Sequence, residues 1–387
     1  MKRITKLTLR YVYPLYFEET LDRATPKIDR YEKPNRENSW KYERTAFSDI
    51  FPEPAEIFPF AADSFFAETG DKGGIGRSWS MKKGENRYFL STRFTAKVGK
   101  EEEAVTVGIT KINLCLTRMH TGLFWIEMEL SAEKITSGIL LDFQKNLIEA
   151  NPFKEWIAEW VSPLSCRFVP EIKTEEKSLP VRPFCFTVCV GEESTEGERK
   201  KLKESLSEDG IAFVYGKQEE MSESVHSVDF LLLLRSMYRM YASLYYLEQI
   251  RRTVSAARED YEPITEKDEQ KRAQKEKRRN SLLFELQKLR TDLALFLTVN
   301  PDGPVSPFPQ HNEFDRLCRE RFGLAELKQT METSRSTVGD LIGHLEETIR
   351  EEEEEKRKVK EAEREEEKRQ EEELKQSSGF RRFGKRN

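Results

Sequence analysis

Five cysteines, Cys115, Cys166, Cys185, Cys189 and Cys318, are scattered over 387 residues. The odd count and irregular spacing give no disulfide ladder, and the expectation is reduced thiols in a cytoplasmic protein. Cys185 and Cys189 have no second C-x2-C-type pair to complete a zinc site. The four histidines, His120, His226, His311 and His344, form no H-E-x-x-H arrangement, and there is no G-x-S-x-G. The glycine-rich DKGGIGR at 71–77 lacks the Gly-Lys-Ser/Thr ending of a phosphate loop and reads as a turn. The N-terminal MKRITKLTLRYVYPLYF has no apolar core of signal-peptide length. One run, FLLLLRSMYRMYASLYYL at 230–247, is about bilayer length. It contains Arg235 and Arg239, and a mid-bilayer arginine costs roughly 2.5–3.5 kcal/mol. It therefore reads as a helix buried in protein, and no transmembrane segment is expected. With no catalytic residue, cofactor or metal to assign, the sequence points away from an enzyme.

What is abundant is charge. Charged residues make up 35% and hydrophobic residues 37%, which suggests a packed core carrying a heavily charged appendage. The net charge of -5 is too small to create a global field toward nucleic acid or an anionic membrane, so such binding would need a local patch. The length suits two domains, or one domain plus an extended element.

The period of the apolar residues divides the chain. LTLRYVYPLYF looks like a strand ending near Pro14, and 91–97 like another. Val105, Val107 and Ile109, then Ile112, Leu114 and Leu116, then Leu123 to Leu130 keep period two, which predicts two strands. Met119–Gly122 would be their turn, with Gly122 supplying φ > 0. Leu140, Phe143, Leu147 and Ile148 then predict a helix ending before Pro152. FCFTVCV and IAFVY look like further strands, joined by a charged helix around 197–207. Beyond residue 225 the period becomes 3.6. A helix is expected at 228–258, and a second carries Leu282, Leu286, Leu289, Leu293 and Phe296 in a packing seam. NPDGPVSPFPQHN breaks it, and a last helix starts near Glu313. Residues 350–376 cannot bury a face and read as a solvated charged helix held by i,i+4 pairs such as Glu353–Arg357. The terminal SSGFRRFGKRN reads as a disordered basic tail able to touch an acidic surface. The fold class is therefore α+β: a mixed β-sheet domain at 1–222, a long-helix bundle or stalk at 223–350, and a charged helical extension with a tail at 351–387.

Two sets of residues stand out. Arg235 and Arg239 lie one turn apart on an otherwise apolar helix, beside Tyr238. Buried guanidinium groups need an acid or an anionic ligand. An ion pair with an acid in the sheet domain is one reading, and a pocket for a nucleotide or other phosphate-bearing ligand is the other. Arg118 and His120, in the predicted hairpin turn, are further candidates for that pocket. Leu324, Leu327, Met331, Val338, Leu341 and Leu345 fit a heptad seam and are the candidate coiled-coil interface for self-association or a partner protein.

The run ITKINLCLTRMHTGLFWIEMEL, with the helix ILLDFQKNLIEANPF and three long helices after it, resembles the soluble domain and stalk of bacterial CorA-like proteins. The resemblance covers about residues 100–350 and implies a cytosolic α/β domain that assembles through its helices. The Gly-Met-Asn signature is missing. Where paired membrane helices would stand, the chain has EEEEEKRKVKEAEREEEKRQEEE, so neither ion transport nor magnesium binding carries over. Some CorA-like proteins are accessory effectors in antiviral systems. The functional expectation is a non-enzymatic, self-assembling sensor or scaffold, with a nucleotide- or nucleic-acid-responsive antiviral effector as the alternative.

Overall fold

The computed structural model describes residues 4–17, 21–30, 32–33, 40–45, 50, 58, 76–83, 88–98, 100–117, 120–131, 135–136, 139–161, 166–168, 172–173, 178–179, 183–191, 210–215, 223–257, 269–299 and 302–383. The order is β1 (Ile4–Phe17), α1 (Leu21–Asp29), β2 (Glu32–Lys33), β3 (Trp40–Arg44), β4 (Gly76–Lys83), β5 (Leu90–Val98), β6 (Glu101–Thr117) and β7 (Thr121–Ser131). There follow α2 (Leu140–Ala150), α3 (Lys154–Val161), β8 (Cys166–Phe168), β9 (Ile172–Lys173), β10 (Ser178–Leu179), β11 (Phe184–Gly191) and β12 (Gly210–Tyr215). The chain ends in α4 (Glu223–Ala257), α5 (Glu269–Val299), α6 (Pro309–Arg321) and α7 (Leu324–Phe383). This is an α+β architecture, and its contacts divide it into two units. One comprises Met1–Glu248 with Leu295–Met331, the other Gln249–Ala294 with Glu332–Asn387.

In the first unit a ten-stranded sheet runs β12-β11-β1-β7-β6-β4-β3-β2, with β5 on β6 and β8 on β1. The β11–β12 pair is parallel; β1, β7 and β6 form an antiparallel centre. Strand β1 buries both faces, which is why it reads as nearly continuous apolar sequence. Leu7, Leu9, Tyr11, Tyr13, Leu15 and Phe17 point to one side. There they pack with Leu21 and Ile28 of α1, Phe143 and Leu147 of α2, and Phe153 and Ile157 of α3. On the other side α4 covers the sheet. The Phe230 ring lies 6.0 Å from Trp125 and 5.2 Å from Phe186, and the Arg10 guanidinium sits 4.7 Å over it. Arg10 also pairs with Glu127 at 2.9 Å. Burial works against that carboxylate, but Arg10 and Lys111 hold it below its ordinary pKa.

Four details differ from the sequence reading. Strand β1 does not stop near Pro14; it runs on to Phe17. Its ladder with β11 ends at Val12 and its ladder with β8 begins at Leu15. Pro14 thus falls in a gap where that neighbour requires no N–H donor. In the β6–β7 turn the positive φ belongs to His120, at 56°, not to Gly122. His120 is held from both sides: Phe17 N–H donates to its carbonyl at 3.0 Å, and its Nδ1 lies 3.2 Å from the Phe17 carbonyl. Gly122 is required for another reason. A Cβ there would stand 2.6 Å from Leu116 Cδ2 and 2.8 Å from the Cys115 carbonyl. Gly122→Ala is therefore expected to cost about 1–3 kcal/mol through forced displacement of β6. A urea midpoint that stays unchanged would show that the hairpin yields freely.

The third difference is that the last helix is two. Gly323 at φ 60° ends α6, its N–H bonding to the Glu320 carbonyl at 3.2 Å, in the left-handed conformation that favours glycine after a helix. The fourth is that α7 continues as helix through the expected tail as far as Phe383. Residues 197–207, where a charged helix is expected, lie outside the described residues.

The second unit is helical. Leu282, Leu286, Leu289 and Leu293 of α5 are buried, as are Val338, Ile342 and Leu345 of α7. Gln287 bonds Glu346 at 2.9 Å, Arg279 bonds Glu352 at 2.6 Å and Lys356 bonds Glu276 at 2.5 Å. Positions rise on one helix as they fall on the other, so α5 and α7 pack antiparallel here. From Arg357 to Glu373 every residue is exposed, in keeping with the solvated charged helix expected there.

Candidate functional site

Helix α4 is apolar nearly all round from Phe230 to Leu234, and each of these residues is buried. Arg235 and Arg239 enter this setting with 1% and 5% of their surface exposed. Two acids that pair with them, Asp315 and Asp302, lie beyond the sheet, not in the sheet domain as one reading had it. Asp315 of α6 accepts from Arg235 at 3.4 Å, and its other oxygen pairs with Arg319 one turn away at 2.8 Å. Asp302, in the segment before α6, accepts from Arg239 at 3.0 Å and from Lys328 of α7 at 2.6 Å. A second buried pair, His311 Nδ1 with Asp229 at 3.0 Å, joins the same helices.

Burial dominates the electrostatics. It lowers the Arg235 pKa to about 10, with Arg239 as a further repulsive neighbour and Asp315 opposing the shift. It also pushes the Asp315 carboxyl up despite three nearby guanidinium groups. Burial works against Asp302 as well, but hydrogen bonds from Lys328 and Arg239 hold that carboxyl below its ordinary value. The Cys115 and Cys318 thiols are pushed up by burial, so neither is a nucleophile at neutral pH.

Beside Asp302 a cleft of about 270 Å3, counting its open mouth, is lined by Arg239, Ser243, Phe296, Leu297, Leu324, Lys328 and Met331. Much of that volume is open to solvent, and its enclosed part has room for about one water molecule.

Of the expected ligand residues only Arg235 and Arg239 come together. Tyr238 faces the sheet near Thr117 and Cys115, and burial raises its pKa. His120 belongs to an aromatic group at the hairpin, its ring 5.8 Å from that of Tyr245, which lies 5.3 Å from Tyr16. Arg118 lies outside the described residues. In the expected interface seam, Leu324, Met331, Val338 and Leu345 are buried within the single chain, whereas Leu327 and Leu341 are half-buried and Ile342 is buried. The acidic partners were missed by sequence reasoning. One signal pointed to Asp315: it occupies the buried stripe of α6 formed by His311, Phe314, Asp315 and Cys318, at a position where periodicity calls for an apolar residue.

Among the described residues no group of three or more His, Cys, Asp or Glu side chains is arranged to hold a metal, and no helix is long and apolar enough to cross a membrane. No protein-family model matches the chain, and no curated protein matches its sequence.

Proposed function

We propose that the chain is a non-enzymatic, self-assembling scaffold or sensor, and that its helical unit binds a second copy of itself. The observation that carries this reading is Phe284. It lies on α5, whose packing seam is already satisfied within the chain, yet it is 68% exposed. Val359 on α7 is likewise 52% exposed. Burying a phenylalanine contributes about 1.5–3 kcal/mol, so a partner surface has something to gain there. Charge favours a second copy. Past Lys356 the sequence of α7 mixes both signs, and antiparallel pairing about residues 360–361 would set Lys358 against Glu363 and Glu353 against Lys368, outnumbering like pairs such as Arg357 with Arg364.

Phe284→Glu is accordingly expected to leave the helical circular dichroism unchanged while converting an oligomer to monomer in sedimentation equilibrium. The wild-type assembly should weaken with salt, as exposed charge pairs do. A wild type that is monomeric at every concentration would sink the proposal. A second reading, a nucleotide- or nucleic-acid-responsive effector of antiviral defence as the CorA-like resemblance implies, draws support from the cationic Arg239–Lys328 cleft. Native mass spectrometry of gently purified protein tests it, since co-purified nucleotide or RNA is its necessary result.

A further inference from the structure

We propose that the acidic stretch of α7 from Glu361 to Glu373 in one copy docks along the basic, Phe284-bearing face of α5 in a second copy. This rests on the self-assembly proposed above and names the segment that covers Phe284.

The two helices of the second unit carry opposite charge. Residues 270–284 of α5 hold six basic side chains against the single Glu276, a net charge of +5. Residues 361–373 of α7 hold eight glutamates against Arg364, Lys368 and Arg369, a net charge of -5. Part of the α5 charge is used within the chain, since Arg279 pairs with Glu352. Lys277 and Arg278 are exposed and make no ion pair or hydrogen bond among the described residues. The same holds for Glu365, Glu366 and Glu367 of α7. Lys277, Ser281, Phe284 and Lys288 recur at 4-3-4 spacing and are all exposed, so they share one outward face of α5.

The register within one chain sets where these groups meet. Gln287–Glu346, Arg279–Glu352 and Glu276–Lys356 fix the antiparallel alignment of α5 and α7. In it Lys277 and Arg278 lie level with Glu355 and Glu354, and Glu269, the first residue of α5, lies level with Glu363. Helix α7 thus runs past the start of α5 by about ten residues to Glu373, roughly 15 Å. Antiparallel pairing of two α7 helices about residues 360–361 sets Glu366 opposite Glu355 and Glu367 opposite Glu354, which alone is repulsive. The same pairing brings Glu366 and Glu367 level with Lys277 and Arg278 of the second copy. The α5 face therefore supplies two cations where the α7 pair has only carboxylates. Further out, Arg364 comes level with Lys275 and Lys360 with Lys271, so the attraction centres on 365–367. Phe284 comes level with Glu373, and a helix laid across it removes its ring from water. Two-fold symmetry repeats the contact, each copy giving its glutamates to the other's α5.

The experiment compares two sets of exposed charge reversals in the full chain by sedimentation equilibrium. One is Lys277→Glu with Arg278→Glu; the other is Glu365→Lys with Glu366→Lys and Glu367→Lys. Each set alone is expected to raise the self-dissociation constant about tenfold or more, with helical circular dichroism unchanged. An equimolar mixture of the two is expected to regain close to wild-type affinity. One contact of the mixed dimer is native, and the other has both signs exchanged. Recovery on mixing cannot arise from misfolding. Reversed variants that keep the wild-type mass, or a mixture that fails to recover, overturn the docking and leave self-assembly standing. A wild type that is monomeric at every concentration overturns both. Undiminished self-association of the Lys277→Glu, Arg278→Glu variant, with loss of binding to a poly(U) RNA probe, assigns the face to a polyanion and also overturns the docking.

Discussion

Asp315→Leu is expected to destabilise the protein by about 3–5 kcal/mol, and adding Arg235→Met to return most of that loss. Both side chains of the pair are only 1% exposed. The single change takes a carboxylate away from a guanidinium that cannot reach water, whereas Arg319, at 26%, can turn outward. The double change replaces two desolvated charges with apolar volume. The pKa directions indicate that this pair offsets its own burial without adding stability. Burial lowers Arg235 to about 10 and raises Asp315 even with the two in contact, so neither charged form is better off than in the unfolded chain. The signs follow from linkage. The raised Asp315 pKa contributes stability that is present below its ordinary 3.8 and lost as pH rises through the folded-state value. The depressed Arg235 pKa contributes stability only at pH above the ordinary arginine value, and this is lost as pH falls through about 10. At pH 7 both groups therefore work against folding, and the double variant should come close to the wild type in urea midpoint. A double variant as unstable as Asp315→Leu would mean that Arg239 and Arg319 depend on the carboxylate more than Arg235 does.

How far the sequence revealed this arrangement depends on the distance over which each signal acts. Strands β6 and β7 were legible because Val105 to Leu130 alternate locally, and β-branched and aromatic residues reinforce the pattern. The burial of α4 followed from the same kind of local fact, since Phe230–Leu234 leaves no polar side to face water. Arg235 and Arg239 were legible as charges in an apolar helix. Their partners were not, because Asp302, Asp315 and Lys328 lie about 60–90 residues further on and a lone carboxylate among many carries no pattern. Pro14 misled because the rule against proline in strands assumes a neighbour on both edges at that residue. Gly122 misled because glycine meets two needs, positive φ and close approach, and the sequence does not say which; His120 took the first and Gly122 the second.

The seam of α7 is the remaining discrepancy, and it supplies a quantitative test. Leu345→Ala and Ile342→Ala are each expected to cost about 2–5 kcal/mol, while Leu341→Ala should cost about 1 kcal/mol or less. A strict heptad continued from Leu324 and Leu327 reaches Val338, Leu341 and Leu345. A straight α-helix drifts about 20° per heptad against that repeat, and the buried set becomes Val338, Ile342 and Leu345, at 0%, 3% and 1% exposure. The same face continues through Glu352 and Lys356, whose partners Arg279 and Glu276 confirm the register. Removing a buried branched side chain from this face leaves a cavity opposite the leucines of α5; removing Leu341 trims a side chain already half in water. The comparison also separates stability from assembly. If a second copy bound along the heptad read from the sequence, Leu341→Ala would lower the oligomer mass at little cost in urea midpoint. If assembly uses the surface marked by Phe284, Leu341→Ala should change neither, and Leu345→Ala should lower the midpoint before any loss of mass is seen.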